Sequence, residues 1–214
     1  MIFQLDDELW FPNPRDADED GCLAVGGDLS VDRLLLAYQH GIFPWYSFRH
    51  ETAGPVWYCP HRRFVIFPSE IHVSHSMRTL LNKGLYEITA NRDFEAVISN
   101  CSRLRYDEEG AWLGEEMIKA YTELHRQGFA ASIEVWEKDK LVGGLYGVNI
   151  GKAFFGESMF SLVPNGSKVA LIFLARLMES SGGTLIDCQF ETSHLRSMGG
   201  RYISYEKYLK LIRA

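Results

Sequence analysis

Three apolar runs follow one another between residues 131 and 161: Ala131–Glu137, Leu141–Asn149 and Ala153–Ser161. Only Lys138-Asp139-Lys140 and Ile150-Gly151-Lys152 separate them. Connections that short join antiparallel strands, so the spacing predicts a three-strand meander. Ser167–Glu179 then reads as a helix that is apolar nearly all round, and therefore buried. Gly182-Gly183 ends it, and Thr184–Phe190 reads as the next strand. A strand–helix–strand step after a meander predicts an α+β chain, its mixed sheet carrying helices on both faces.

Upstream, residues 74–83 and 93–101 and Gly114–Gln127 are predicted helices, with Tyr86–Ala90 an alternating strand. Downstream come a short helix and a last strand near Arg201–Ser204. Residues 1–60 are rich in turn formers, including Pro12, Pro14, Gly26, Gly27, Pro44 and Pro60. One helix stands out there, Val31–His40, with Ser30 as its N-cap and Gly41 as its stop. A segment so small buries little surface alone. Two parts are expected: a small N-terminal domain over residues 1–62, packed on a larger domain over residues 63–214.

The 214 residues are 46% hydrophobic and 23% charged, enough for one large core or a medium core with an appendage. A net charge of −6 excludes a uniformly basic nucleic-acid coat but not a local patch. The most basic window, 60–83, holds Arg62, Arg63, Arg78 and Lys83 against Glu70. It is either a solvated face or a contact for a phosphate backbone. Cys22, Cys59, Cys101 and Cys188 form no CxxC pair, and the N-terminus lacks the layout of a signal peptide. A reduced, cytoplasmic protein is expected. The longest apolar run, Val169–Ala175, is too short for a bilayer, so no membrane partner is expected. No HExxH or G-x-S-x-G motif occurs, which speaks against a metal site and against serine-hydrolase chemistry.

Chemistry then has to come from polar residues set inside apolar runs. Asp187 and Gln189 lie within Leu185–Phe190, and Glu157 lies between Phe154-Phe155 and Met159-Phe160. A carboxylate there loses hydration and needs a partner or a task. Strand alternation puts Asp187 and Gln189 on one face. Either the pair handles an incoming amine or carbonyl, or Asp187 is a core acid satisfied by backbone groups or an arginine. Glu157 either binds a cationic substrate group or pairs with Arg or Lys on a neighbouring strand. Gly143, Gly144, Gly147 and Gly156 fall inside predicted strands, where glycine marks a bulge or a close approach.

The order of elements resembles the acetyltransferase-like (GNAT-type) sheet, in which the acyl donor enters where two central strands splay apart. By that likeness Glu157 on one flanking strand meets Asp187 and Gln189 on the other. Asn165-Gly166-Ser167-Lys168 lacks both a P-loop frame and the Arg/Gln-x-x-Gly-x-Gly/Ala loop that holds the coenzyme A pyrophosphate, which argues against coenzyme A as donor.

Longer motifs are more specific. They are Phe11-Pro12-x-Pro14, Ala24-Val25-Gly26-Gly27-Asp28-Leu29-Ser30, Gly41-Ile42-Phe43-Pro44-Trp45 and His72-Val73-Ser74. Ser132-Ile133-Glu134-Val135-Trp136, Leu141–Gly147, Phe155–Ser161, Ser167-Lys168, Leu185–Gln189 and His194-Leu195 follow. Together, over about residues 3–208, the chain resembles the leucyl/phenylalanyl-tRNA–protein transferases. The resemblance implies a cytoplasmic enzyme without metal or coenzyme. It would move Leu or Phe, and Met poorly, from aminoacyl-tRNA to the N-terminal Arg or Lys of acceptor proteins, marking them for degradation. It implies Asp187 and Gln189 as the catalytic pair and Glu157 as the holder of the acceptor's basic side chain. Leu145, Phe154, Met159, Leu174, Met178 and Ile186 would line the pocket for the transferred side chain, with Trp45 and Trp112 near the terminal adenosine. Arg62, Arg63, Arg78 and Lys83 are the proposed tRNA face, and a monomer is expected. Position 192, Asn in some members, is Thr here. Two rivals are a coenzyme A-dependent N-acetyltransferase and a non-catalytic adaptor for basic N-termini.

Overall fold

The structure, a computed structural model, describes residues 2–45, 54–109 and 114–213. Four short strands, β1 (Phe3–Leu5), β2 (Cys22–Gly26), β3 (Phe43–Trp45) and β4 (Val56–Tyr58), form a sheet in the order β1-β2-β4-β3. Helix α1 (Val31–Gln39) joins β2 to β3. The Ser30 hydroxyl accepts the Arg33 N–H at its start, as expected of an N-cap. The helix was legible in the sequence and the strands were not. Each strand has only three to five residues, too few for alternation to register. Pro44 is tolerated because β3 is an edge strand.

The second sheet has seven strands: β5 (Arg62–Ile66), β6 (Glu87–Ala90), β7 (Ala130–Glu137), β8 (Lys140–Ile150), β9 (Ala153–Ser161), β10 (Leu185–Asp187) and β11 (Arg201–Ser204). Their order is β11-β5-β10-β9-β8-β7-β6. The expected meander is there: β7 pairs antiparallel with β8, and β8 with β9. Helices α2 (His75–Asn82), α3 (Phe94–Glu109), α4 (Glu115–Arg126), α5 (Gly166–Ser180), α6 (Ser193–Ser197) and α7 (Tyr205–Ile212) complete the mixed α+β fold. The chain crosses from β9 through α5 to β10, which pairs parallel to β9. The strand expected over Thr184–Phe190 stops at Asp187.

Two apolar clusters fill the two faces. One joins Leu23, Tyr38 and Trp57 to Val97 of α3, Tyr121 of α4 and Phe155 of β9. The other packs Val169, Leu171 and Ala175 of α5 against Leu145, Phe154 and Ile186. Helix α3 runs on to Glu109, beyond the helix expected over residues 93–101. Trp112 lies outside the described residues. Among those described, no helix is long and apolar enough to cross a membrane.

Candidate active site

Strands β9 and β10 stay paired only as far as Phe155 and Asp187. Beyond that point β9 remains with β8, while the chain after β10 leans to β5, where the Cys188 N–H donates to the Phe64 carbonyl at 2.9 Å. A cavity of about 540 Å³ opens where the two strands part. Its walls include Leu145, Phe154, Met159, Leu174 and Ile186, five of the six residues expected for an apolar pocket. Met178 is the exception. Its side chain packs beside Gly183 just past the end of α5, away from the cavity, because it lies a full turn beyond Leu174. Trp45 lines the mouth, edge-on to Phe190 with ring centroids 4.9 Å apart.

Glu157 reaches the cavity through a β-bulge. Tyr146 pairs with Ser158 and Gly147 with Gly156, which leaves Glu157 as the extra residue of β9. The extra residue reverses side-chain parity along the strand. Phe155 and Phe160 therefore belong to one apolar cluster, while Phe154 and Met159 face the other. Gly147 permits the bulge, since a Cβ there would lie 2.1 Å from the Phe155 carbonyl oxygen.

The Glu157 carboxyl is buried among neutral groups. Its Oε1 accepts from the Tyr38 hydroxyl at 2.7 Å and from Gln189 Nε2 at 3.0 Å, and its Oε2 accepts from the Tyr121 hydroxyl at 3.0 Å. Neither Arg nor Lys pairs with it among the described residues, so the expected ion pair with a neighbouring strand is not formed. Burial pushes its pKa up to about 7; the Tyr38 and Tyr121 hydrogen bonds pull against that rise, and Asp187 adds to it.

Asp187 is wholly buried and does not line the cavity. Its Oδ2 accepts from Arg63 Nε at 3.0 Å and from the Tyr208 hydroxyl at 2.6 Å. Its Oδ1 accepts the backbone N–H of Gln189 at 2.8 Å. Gln189 has φ +60°, and the Phe190 N–H donates across it to the Cys188 carbonyl at 2.7 Å, a γ-turn pattern. A non-glycine residue held this way costs about 1–3 kcal/mol. The turn, rather than strand alternation, aims the Gln189 amide into the cavity and onto Glu157.

Arg63 requires a correction. Expected on a face toward RNA, it is 1% exposed and serves as the counter-ion of Asp187. Its guanidinium lies between the rings of Phe43 and Tyr208, and its Nη2 donates to the Gly41 carbonyl. Burial disfavours its charge, but Asp187 more than offsets this and its pKa is raised. A cation so enclosed cannot reach a phosphate backbone. Strand alternation on β5 turns Arg62 outward, and Arg62, Arg78 and Lys83 are exposed. Gly41 is required here, since a Cβ would lie 2.6 Å from the Tyr208 ring and its φ is +74°.

Several neighbours of the site were not identified from the sequence: Tyr38, Tyr121 and Tyr208 around the acids, and Ser158 and His194 on the cavity wall. The Ser158 Oγ and His194 Nε2 atoms are buried without a hydrogen-bond partner among the described residues. The Thr192 hydroxyl, at the cavity rim, accepts the Leu195 N–H as the N-cap of α6.

A mixed sheet that parts over an apolar cavity, with an amide and a carboxyl in its wall, defines a site for a ligand that joins an apolar group to a polar one. Comparison with known proteins narrows this. The model of the leucyl/phenylalanyl-tRNA protein transferase family matches residues 65–213, and that of its N-terminal domain matches residues 27–61. A leucyl/phenylalanyl-tRNA–protein transferase of Flavobacterium johnsoniae is 46% identical over 214 residues, the full length of both chains. One of Syntrophus aciditrophicus is 53% identical over 205 residues, covering 95% of this chain and 84% of its own. The chain belongs to the leucyl/phenylalanyl-tRNA protein transferase family.

Proposed function

We propose that this chain transfers a leucyl or phenylalanyl group, and methionyl poorly, from the 3′ end of its tRNA to the α-amine of an N-terminal Arg or Lys on a protein, marking that protein for degradation. The observation that carries this is the apolar cavity of about 540 Å³ whose lining includes Gln189 and Glu157. An apolar side chain fills the slot formed by Leu145, Phe154, Met159, Leu174 and Ile186, and its ester carbonyl then lies beside Gln189 and Glu157. The acceptor α-amine attacks that carbonyl carbon. The C–N bond forms, the bond to the ribose oxygen breaks, and the amine proton leaves to the ribose oxygen or to water.

An α-amine has a reference pKa of about 8, so a useful neutral fraction exists without a strong base. Orientation and stabilisation of the developing oxyanion then carry the rate. Gln189 supplies the donor amide. Asp187 acts on the Gln189 backbone, and Arg63 and Tyr208 hold Asp187. Glu157 anchors the acceptor's basic side chain. Trp45 and Trp112 flank the terminal adenosine, and the exposed Arg62, Arg78 and Lys83 meet phosphates.

The seven-stranded sheet is read as acetyltransferase-like, supported by the meander, the buried crossing helix and the parallel pair that splays. Residues 1–62 are read as an N-terminal domain and 63–214 as the catalytic domain, since the chain passes between sheets after Tyr58. A cytoplasmic monomer suffices, because one chain supplies the cavity, the amide and both acids.

Incubation with Leu-tRNA and an Arg-initiated peptide tests the reading. The peptide is expected to gain one leucyl residue, and Gln189→Ala should slow single-turnover transfer roughly 10²–10³-fold. A peptide that binds but keeps its mass would make the chain an adaptor. Transfer supported by acetyl-coenzyme A would make it an acetyltransferase.

A further inference from the structure

The atoms around Glu157 do not balance for protons if its carboxyl is ionised. Tyr38 Oη lies 2.7 Å from Oε1, Tyr121 Oη lies 3.0 Å from Oε2, and the two hydroxyl oxygens lie 2.5 Å apart. These three contacts close a ring. Burial raises both tyrosine pKa values well above the usual range, so each hydroxyl keeps its proton. Two hydroxyl protons fill two contacts. The third would then bring two oxygens together with no hydrogen between them, which is repulsive at that distance.

A proton on Oε2 fills all three contacts. Oε2–H donates to Tyr121, Tyr121 donates to Tyr38, and Tyr38 donates to Oε1. As the carbonyl oxygen, Oε1 still accepts from Gln189 Nε2 at 3.0 Å. The surrounding charges favour the same state. Glu157 faces Tyr38 from α1, Tyr121 from α4 and Asp187 and Gln189 from β10 and its turn. Tyr146 of β8 stands behind Tyr121, with ring centroids 5.7 Å apart. None of these is a cation, and the charged one, Asp187, is negative and raises the Glu157 pKa although Arg63 pairs with it at 3.0 Å on its other side.

We propose that Glu157 holds a proton in the acceptor-free protein and releases it to solvent when the basic side chain of an acceptor N-terminus binds, so that acceptor binding is coupled to loss of one proton. The proposal rests on Glu157 being the acceptor's anchor. The Oε2–H bond breaks, its electron pair stays on the carboxylate, and the proton passes to bulk water. The incoming guanidinium or ammonium keeps its charge and pairs with the carboxylate. Linkage then sets the pH dependence: acceptor affinity falls about tenfold per pH unit below the pKa of about 7 and levels off above it.

Calorimetric titration with an Arg-initiated peptide, in the absence of tRNA, tests this on the intact protein. At about pH 6, buffers of different ionisation enthalpy should report nearly one proton released per peptide bound, falling toward zero near pH 8. Infrared difference spectra should show a protonated-carboxyl stretch that disappears on peptide binding and is missing in Glu157→Gln. That band separates the Glu157 proton from one lost by the peptide's own α-ammonium. Peptide binding without proton release, or without loss of the band, overturns the proposal, and the wild-type measurements decide this even if the variant folds poorly. If Glu157→Gln still weakens binding in that case, the anchor reading survives alone. Equal affinity in wild type and Glu157→Gln overturns both.

Discussion

Asp187 and Glu157 are buried acids on either side of the same strand parting, and their surroundings differ in kind. Asp187 meets a guanidinium 3.0 Å away, a tyrosine hydroxyl and a backbone N–H. Glu157 meets two tyrosine hydroxyls and an amide. The first arrangement balances the charge inside the protein and leaves Asp187 walled off from the cavity. The second leaves the charge unbalanced, in contact with the cavity, for a ligand to complete. The difference separates an acid that holds the site's shape from an acid that is part of the site's chemistry.

The largest effect should come from removing the cation. Arg63→Met leaves Asp187 buried and unpaired, and chemical denaturation should report a loss of about 3–5 kcal/mol. A loss under about 1 kcal/mol would mean that Asp187 is not held by charge. Next, Glu157→Gln should change how stability depends on pH. The Glu157 pKa is raised from 4.5 to about 7 on folding. Between those values the unfolded chain has ionised while the folded one keeps its proton, so wild-type stability falls as pH rises. Relative to wild type, the variant should gain stability across that window by up to ~3 kcal/mol, with no further change above it. A parallel pair of curves in thermal melts would contradict the contrast between the two acids.

Tyr208→Phe removes one hydrogen bond to the Asp187 charge and should cost about 1.5–3 kcal/mol. Transfer should slow with it, as the Gln189 turn loosens. The smallest effect is expected at the neighbouring arginine. Arg62→Ala should change stability by no more than about 0.5 kcal/mol and reduce the salt slope of tRNA binding by about one. A destabilisation like that of Arg63→Met would erase the distinction between the outward and inward arginines of β5.

Much of the second sheet was legible in the chain. The meander could be read because its strands are long and its links short, and the crossing helix because its apolar residues run all the way round. Asp187, Gln189 and Glu157 stood out because isolated polar residues in apolar runs are costly unless satisfied. The four-stranded sheet was not legible, its strands being too short to show a period. Arg63 was misread for a related reason: one basic residue beside another looks like a charged surface unless the strand that alternates them is recognised.

Local pattern thus determined which segments pair and which residues are anomalous, since both follow from periodicity over a few neighbours. The tertiary structure alone decided what the anomalous residues meet. Tyr38 and Glu157 are 119 positions apart, and Arg63 and Asp187 are 124 apart. No short-range rule reaches across such separations. Whether a buried acid gains a cation or only neutral donors depends on how α1, α4 and β5 come together around the parted strands.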